Sequence, residues 1–131
     1  MRTLTQYLLL SALLLTGCSH AIRREDYKPI SHSQTDGCDI WIKPQAHFQP
    51  YDGKKVGRIE LGDTGLSVSC SKDKAFMILR NEGCSLGANF IDLVQEMSPD
   101  IVSSCYRVKA DFWFIDNPER SDIKANAFHL K

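Results

Sequence analysis

Cysteines are the residues of this 131-residue chain whose type and spacing could do chemistry. The first of them ends the sequence Leu15-Thr16-Gly17-Cys18, directly after an apolar run over residues 7–15. Small residues at 16 and 17 fit the binding site of a signal peptidase, and the thiol at 18 can take a diacylglycerol. The pattern is typical of a bacterial lipobox, and it predicts a lipid on Cys18.

Residues 1–17 have the parts of a secretory signal, with the positive Arg2, an apolar core and small residues before the cleavage point. The core is too short to span a bilayer as a helix, which takes about 20 residues. The alternative is an ordinary signal peptide that leaves Cys18 an incidental thiol. With lipid on Cys18, two or more acyl chains would hold the protein stably on a membrane. Ser19 follows in place of Asp, which in a two-membrane bacterium favours the outer membrane, facing the periplasm.

Size and charge limit the kinds of partner that the mature chain could have. Removing 17 of the 131 residues leaves 114, enough for one domain with a modest core. Arg2 is the only charged residue removed, so 15 Lys and Arg face 16 Asp and Glu, a net charge of −1. This balance argues against nucleic acid and against a polybasic membrane patch. We expect a membrane, contacted through the lipid, and an envelope protein as the partners.

Four cysteines remain once Cys18 carries lipid: Cys38, Cys70, Cys84 and Cys105. An even number of thiols in a small exported protein indicates disulfides, because the compartment is oxidising. The count allows more than one pairing and does not choose among them. A zinc site is the rival, but spacings of 32, 14 and 21 residues contain no Cys-x-x-Cys motif.

Other chemistry has weaker signals. Asp63-Thr64-Gly65 resembles the triplet of aspartic proteases, but these enzymes need two carboxylates that share a proton, and no second triplet is present. A tight turn capped by Asp63 is the favoured interpretation. The histidines fall in loop or tail segments, where solvated side chains are expected: His20, His32, His47 and His129. We predict no catalytic residue, no cofactor and no metal.

Composition divides the mature chain into three parts. Residues 18–36 are polar without an apolar period, which favours a lipidated N-terminus and a flexible tether. An α+β domain is predicted over 37–116. The tail, 117–131, is mostly polar and is either disordered or packs back weakly through Ala127-Phe128 and Leu130.

Periodicity predicts the elements of the domain. Alternating apolar residues predict strands over 38–43, 56–61, 66–70, 89–94 and 105–114. Apolar spacings of three, four and seven predict a helix over 71–86, with Ser71 as its N-cap and Gly87 as a left-handed stop. Gly83 within that helix is reasonable if the helix packs closely on a sheet there.

The last predicted strand has one apolar face and one charged face, so its register is strongly determined. Arg107 and Lys109 lie on the charged face, and Trp113 and Trp41 could project beside them from the sheet face opposite the helix. These four residues are a candidate patch for contact with a protein or saccharide. The alternative is partial burial of the tryptophans beneath a loop.

Four separated motifs resemble a family of small bacterial envelope lipoproteins. These are the Gly-x-Ile-x-x-Gly-Asp-x-Gly turn at 57–65, the following Cys70, Gly-Ala-Asn at 87–89, and Ser-Ser-Cys-Tyr-Arg-Val-Lys-Ala at 103–110. The resemblance covers 56–114. In architecture alone, the chain is more distantly similar to RcsF, an outer-membrane stress-sensor lipoprotein.

The resemblance implies a disulfide between Cys70 and Cys105. The predicted elements agree with it, since one cysteine precedes the helix and the other opens the last strand. Cys38 and Cys84 lie outside the shared pattern. They either pair, or Cys84 is a buried small hydrophobe.

These observations predict an α+β fold, a sheet of about four strands with one helix on one face, stapled by disulfides. The function expected is that of a lipid-anchored, non-enzymatic envelope protein of structural, assembly or sensing type. The rival is a periplasmic thiol-redox or metal-handling protein that uses Cys38 and Cys84.

Overall fold

A mixed β-sheet covered by helices forms the fold in a computed structural model of the chain, which describes residues 19–30, 38–65 and 69–130. The elements are β1 (Ala21–Glu25), β2 (Ile40–Pro44), β3 (Gly53–Gly62), α1 (Lys72–Leu86), β4 (Phe90–Met97), β5 (Arg107–Ile115), α2 (Ser121–Lys124) and β6 (Phe128–Leu130). The α+β class is confirmed.

The strand order is β1-β3-β5-β4-β2-β6. Neighbouring strands are antiparallel, apart from β2 and β4, which run parallel. The prediction of about four strands is too low, because the described residues form six. The two strands that periodicity missed, β1 and β6, are edge strands with mostly exposed side chains, so neither has the alternation that a half-buried strand shows.

The predicted helix is confirmed, and local capping determines its ends. The Ser71 hydroxyl accepts a hydrogen bond from the backbone N–H of Lys74 at 3.3 Å, and Gly87 ends the helix with a φ of 76°. Gly83 confirms the close packing expected of it. A Cβ there would lie 2.5 Å from Ile40 Cδ1 and 3.2 Å from the Phe112 ring.

The main core lies between α1 and one face of the sheet. Alternate residues of the central strands point into it, as the periodicity predicts, and α1 contributes Ala75, Leu79 and Leu86. A second, smaller core covers part of the opposite face. It consists of Phe48, Phe90, Trp113, Ile115 and Ile123, brought together by the loop 45–52 and α2.

The prediction of a flexible tether is wrong for the described part of 18–36. Residues 21–25 pair with β3, with Ala21 opposite Gly62. Beyond β1, the N–H groups of Lys28 and Ile30 donate to Val56 and Leu86. Backbone pairing, to which polar residues contribute as well as apolar ones, binds this segment to the domain. Cys18 and residues 31–37 lie outside the described residues, so the predicted lipidation does too.

The C-terminal tail, described for residues 117–130, is also more ordered than expected. Residues 121–124 form α2, which buries Ile123, and 128–130 form β6 against β2. The predicted strand over 66–70 is not seen in Ser69 and Cys70, and residues 66–68 lie outside the described part. No helix of the described residues is long and apolar enough to cross a bilayer.

Two disulfides mark the opposite ends of the sheet. Cys70–Cys105 has Cα atoms 5.0 Å apart and lies where β3 and β4 end and β1 and β5 begin. Cys38–Cys84 has Cα atoms 5.9 Å apart and lies where α1 ends. The pairing implied by the resemblance is confirmed, and so is the second pair. We call these ends the Cys105 end and the Cys84 end.

Candidate functional site

The sheet face opposite α1, here called the open face, carries charged side chains in register across five strands. Glu25, Arg58, Asp111, Asp92 and Lys43 follow one another from β1 to β2. Asp111 and Asp92 are directly opposite each other and are 7% and 4% exposed. Two adjacent carboxylates can divide acid and base roles, so this pair is the first place to look for catalysis.

Asp111 is held by two cations. Its Oδ1 accepts from Arg58 Nε at 2.5 Å, and its Oδ2 accepts from Arg58 Nη2 at 2.8 Å and from Lys55 Nζ at 2.9 Å. Burial by itself would raise the pKa of Asp111, but the hydrogen bonds from Arg58 and Lys55 outweigh it and the pKa lies below its ordinary value. The carboxylate is therefore ionised and ties β5 to β3.

Asp92 holds a loop. Its Oδ1 accepts from the N–H of Ala46 at 2.8 Å and its Oδ2 from that of His47 at 3.0 Å. Gln45 and His47 have φ angles of 47° and 51°, so these N–H groups form a small anion-binding concavity. Burial raises the pKa of Asp92, the nearby charge of Asp111 adds to it, and the two N–H groups oppose it without reversing the shift.

The geometry gives Asp92 and Asp111 a structural role. All four carboxylate oxygens accept hydrogen bonds from the protein. The low exposure of both residues leaves little carboxylate surface for a substrate. Asp92 was not among the predicted site residues, although a charged residue between Ile91 and Leu93 is a usable signal. It marks the face of β4 opposite the helix.

The tryptophans of the predicted patch are largely covered. Trp113 is 8% exposed and its ring packs edge-on to that of Phe48, with centroids 5.8 Å apart. Trp41 is half-buried, with Lys124 Nζ 4.3 Å from its ring centroid and the His129 ring 5.1 Å away. Trp113 is therefore buried beneath a loop, which was the alternative prediction for the two tryptophans.

Arg107 and Lys109, the two cations of the predicted patch, lie elsewhere on the open face. Arg107 pairs with Asp100 at 2.7 Å, and Lys109 approaches Glu60 at 3.7 Å. Arg107 and Trp113 belong to the same strand, six positions apart, which is about 20 Å along an extended chain. The structure therefore does not bring the four predicted residues together in one patch.

The histidines differ from one another. The expectation of a solvated loop residue is wrong for His20, which is 4% exposed with its Nε2 at 3.0 Å from the backbone oxygen of Tyr106. His47 is exposed. His129 is exposed on β6 and pairs with Asp39. His32 lies outside the described residues. Nothing local marks His20, since its burial depends on β1 pairing with a distant strand.

The Asp63 triplet forms a turn, as predicted. Asp63 Oδ1 accepts from the N–H of Gly65 at 2.7 Å, and Gly65 has a φ of 80°. The Ser103 hydroxyl donates to the other oxygen of this carboxylate. Both oxygens therefore take part in local structure, which fits the turn interpretation and not a protease.

Several cavities lie on the surface of the described residues, and two of them are lined by residues of α1 between positions 73 and 84. One of about 260 Å³ is beside the Cys38–Cys84 disulfide and is also lined by Gly87, Asn89 and Phe114. The second, of about 670 Å³, is a groove between α1 and β6. We call it the α1–β6 groove, and its lining residues are Asp73, Phe76, Met77, Arg80, Asn81 and Leu130.

Apolar side chains are exposed at this groove. Met77 is 50% exposed, and Phe128 at the groove's rim is 41% exposed and stacks on Phe76 with ring centroids 6.0 Å apart. β6 is the last strand of the sheet, so its outer edge offers backbone groups for pairing. No sequence pattern predicts this surface, because it is made by the packing of the tail against α1.

No group of three or more His, Cys, Asp and Glu side chains within the described ranges could hold a metal ion. Comparisons of the chain with protein-family models, with curated proteins and with solved structures find no match. Function must therefore be argued from the residues themselves.

Proposed function

We propose that this protein is a lipid-anchored bacterial envelope lipoprotein that acts without catalysis, through contacts with another envelope protein. The observation that carries the proposal is Leu15-Thr16-Gly17-Cys18, which ends an apolar signal core and is followed at once by the folded domain, from Ser19. The role is structural, in assembly or in sensing. In a two-membrane bacterium, Ser19 after the lipidated cysteine favours the outer membrane.

The chemistry of the domain supports a non-enzymatic role. The most deeply buried carboxylates, Asp92 and Asp111, are engaged by Arg58, Lys55 and the 45–47 loop. An active site places such groups in a cavity that a substrate enters. Here they connect strands and loops instead.

The α1–β6 groove supports contact with a protein. An apolar groove beside an unpaired strand edge suits an extended segment that adds to the sheet through backbone hydrogen bonds and places side chains in the groove. Met77 and Phe128 supply apolar area, and Arg80 and Asp73 supply charge of both signs. We assign to this surface an extended segment of an envelope protein.

The predicted lipidation of Cys18 is tested by measuring the intact mass of the exported protein and of a Cys18→Ser variant. The expected result is a protein that begins at Cys18 with added acyl groups and fractionates with membranes. The variant should carry no acyl groups and leave the membrane fraction. An unacylated wild-type protein would refute the proposal.

The contact is tested in cells with a photo-crosslinking residue at Met77, with Tyr51 as the matched control. Tyr51 is 79% exposed but lies in the loop before β3, away from the groove. A defined partner captured from position 77 and not from 51 is expected. Equal capture from both positions, or capture from neither, would contradict the assignment.

A second candidate function is thiol redox chemistry at Cys38–Cys84, favoured by the cavity beside this disulfide. Cys38 is half-buried, whereas Cys84 is 2% exposed. A redox-active pair should be reduced by a mild dithiol in the folded protein while Cys70–Cys105 stays oxidised. If both pairs resist reduction until the protein unfolds, this candidate is lost.

A further inference from the structure

Two adjacent apolar side chains project fully from the loop 98–106. Ile101 is 104% exposed and Val102 is 85% exposed, more than any other large apolar residue of the described chain. Single exposed apolar residues are ordinary on protein surfaces. Two neighbours with no contact to the core on a hairpin tip are not explained by the packing of the domain.

The loop is held in the shape that exposes them. Asp100 Oδ1 accepts from the N–H groups of Val102 at 2.8 Å and Ser103 at 2.9 Å, and its Oδ2 accepts from Arg107 Nη2 at 2.7 Å. These bonds lower the pKa of Asp100, with those from the two N–H groups acting most strongly. Cys105, near the end of this loop, is joined to Cys70. Because the loop is held from both sides, little conformational entropy remains to be lost when the tip binds.

The chain enters the domain at the same end. β1 begins at Ala21, opposite Gly62 at the end of β3, and the preceding His20 contacts the backbone oxygen of Tyr106. Tyr106 is the last residue of the loop that carries Ile101 and Val102. Only Ser19 separates the buried His20 from Cys18 in the sequence. Since consecutive Cα atoms are about 3.8 Å apart, the covalent chain limits a lipid at position 18 to two residue lengths from His20, which lies at the Cys105 end.

We propose that Ile101 and Val102 insert into the surface of the membrane that the lipid on Cys18 occupies, so that the domain stands on the bilayer by its Cys105 end. The inference rests on the lipidation that is part of the proposed function. Two apolar side chains bind a bilayer weakly by themselves. A lipid anchor attached at the same end of the domain makes their insertion intramolecular.

This arrangement orients the rest of the molecule. The Cys84 end then points away from the bilayer, together with Tyr51 and the cavity beside Cys38–Cys84. Without the loop contact, the domain would rotate about its N-terminus and would present no constant face.

The test uses the full acylated protein in vesicles of phosphatidylethanolamine and phosphatidylglycerol. Val102→Cys provides the only free thiol when Cys18 is acylated and the disulfides are intact, and it is labelled with an environment-sensitive fluorophore. Tyr51→Cys, labelled in the same way at the Cys84 end, is the matched control. The expected result is a blue-shifted emission at 102, quenched several-fold more strongly by nitroxide-labelled lipid than the emission at 51.

A second variant separates insertion from mere proximity. Ile101→Asp, combined with Val102→Cys, keeps the loop hydrogen bonds but places a charge at the tip. The emission at 102 should then shift to the red and lose its lipid quenching, while the circular dichroism of the protein is unchanged because residue 101 has no core contacts.

The outcomes distinguish this inference from the proposed function. Intact mass of the same samples reports the acyl groups. An acylated protein whose probe at 102 stays in water, or is quenched no more than the probe at 51, overturns the insertion and leaves the lipoprotein function standing. A protein without acyl groups overturns both.

Discussion

Asp92 on β4 and Asp111 on β5 are direct cross-strand neighbours, and both are buried. Like charges in this position repel each other, and the structure accommodates them in two different ways. Asp111 is paired with Arg58 and Lys55, whereas Asp92 receives backbone N–H groups of Ala46 and His47. As a result the pKa of Asp111 is lowered and that of Asp92 is raised.

Replacement of Asp111 by Asn should destabilise the protein. It leaves Arg58 and Lys55 without their counter-charge in a half-buried site, so we expect a loss of about 2–3 kcal/mol in the free energy of unfolding near neutral pH. The control is Glu60→Gln, which removes a half-exposed partner of Lys109 and should change stability by less than about 0.5 kcal/mol. Urea denaturation measures both.

The effect of Asp111→Asn should also depend on pH. The folded pKa of Asp111 lies below its ordinary value, so the carboxylate contributes stability that is present above the unfolded pKa and is lost as pH falls through the folded pKa. The difference between wild type and variant should therefore shrink in acid. A difference that is constant across this range would show that the ion pairs do not stabilise the fold.

Phe48→Ala should uncover Trp113. Phe48 is 7% exposed and packs edge-on against both Trp113 and Phe90, so its truncation should cost about 3–4 kcal/mol. The tryptophan emission of the folded variant should shift to the red. Tyr51→Ala, in the same loop but 79% exposed, should change neither property. Unchanged emission of the Phe48 variant would mean that this loop does not cover the open face.

Gly83→Ala should destabilise the protein although alanine is the better helix former. The gain in helix propensity is about 1 kcal/mol, but the new Cβ would lie 2.5 Å from Ile40 Cδ1, and repacking against β2 and β5 should exceed that gain by about 1 kcal/mol. Asn81→Ala, on the exposed side of the same helix, is the control and should be neutral or stabilising. Thermal unfolding compares them, and a more stable Gly83 variant would refute the close contact.

Removal of either disulfide should cost similar amounts of stability. Cys70–Cys105 spans 35 residues and Cys38–Cys84 spans 46, and the chain-entropy model gives about 4 kcal/mol as an upper figure for each. We expect the paired Cys→Ala variants at 70 and 105, and at 38 and 84, to unfold at lower denaturant concentrations. Non-reducing peptide mapping of the wild type should find these two pairs. Free thiols or a different pairing would contradict the fold.

Local patterns sufficed for the central part of the fold. Helix α1 has an apolar face, a hydroxyl N-cap in Ser71 and a glycine stop in Gly87, each of which acts within a few residues. Strand β5 alternates between apolar and charged residues because it lies between a core and a charged face. These elements were predictable since the cause of each is contained in the segment itself.

The edges of the sheet and the candidate surfaces depended on partners far along the chain. β1 is bound through β3 and carries exposed arginines, so its residues alone resemble a tether. His20 is buried by Tyr106, Trp113 by Phe48, and the α1–β6 groove exists only because the tail returns to β2.

By itself, the sequence determined the lipobox that predicts an anchor, the main helix and the central strands, because peptidase recognition, capping and periodicity are local. Only the tertiary structure decided that Cys38 pairs with Cys84, which charges are buried and which apolar residues stay exposed. Burial and pairing result from contacts between residues distant in sequence, such as Cys38 and Cys84, which are 46 positions apart, and no local pattern records them.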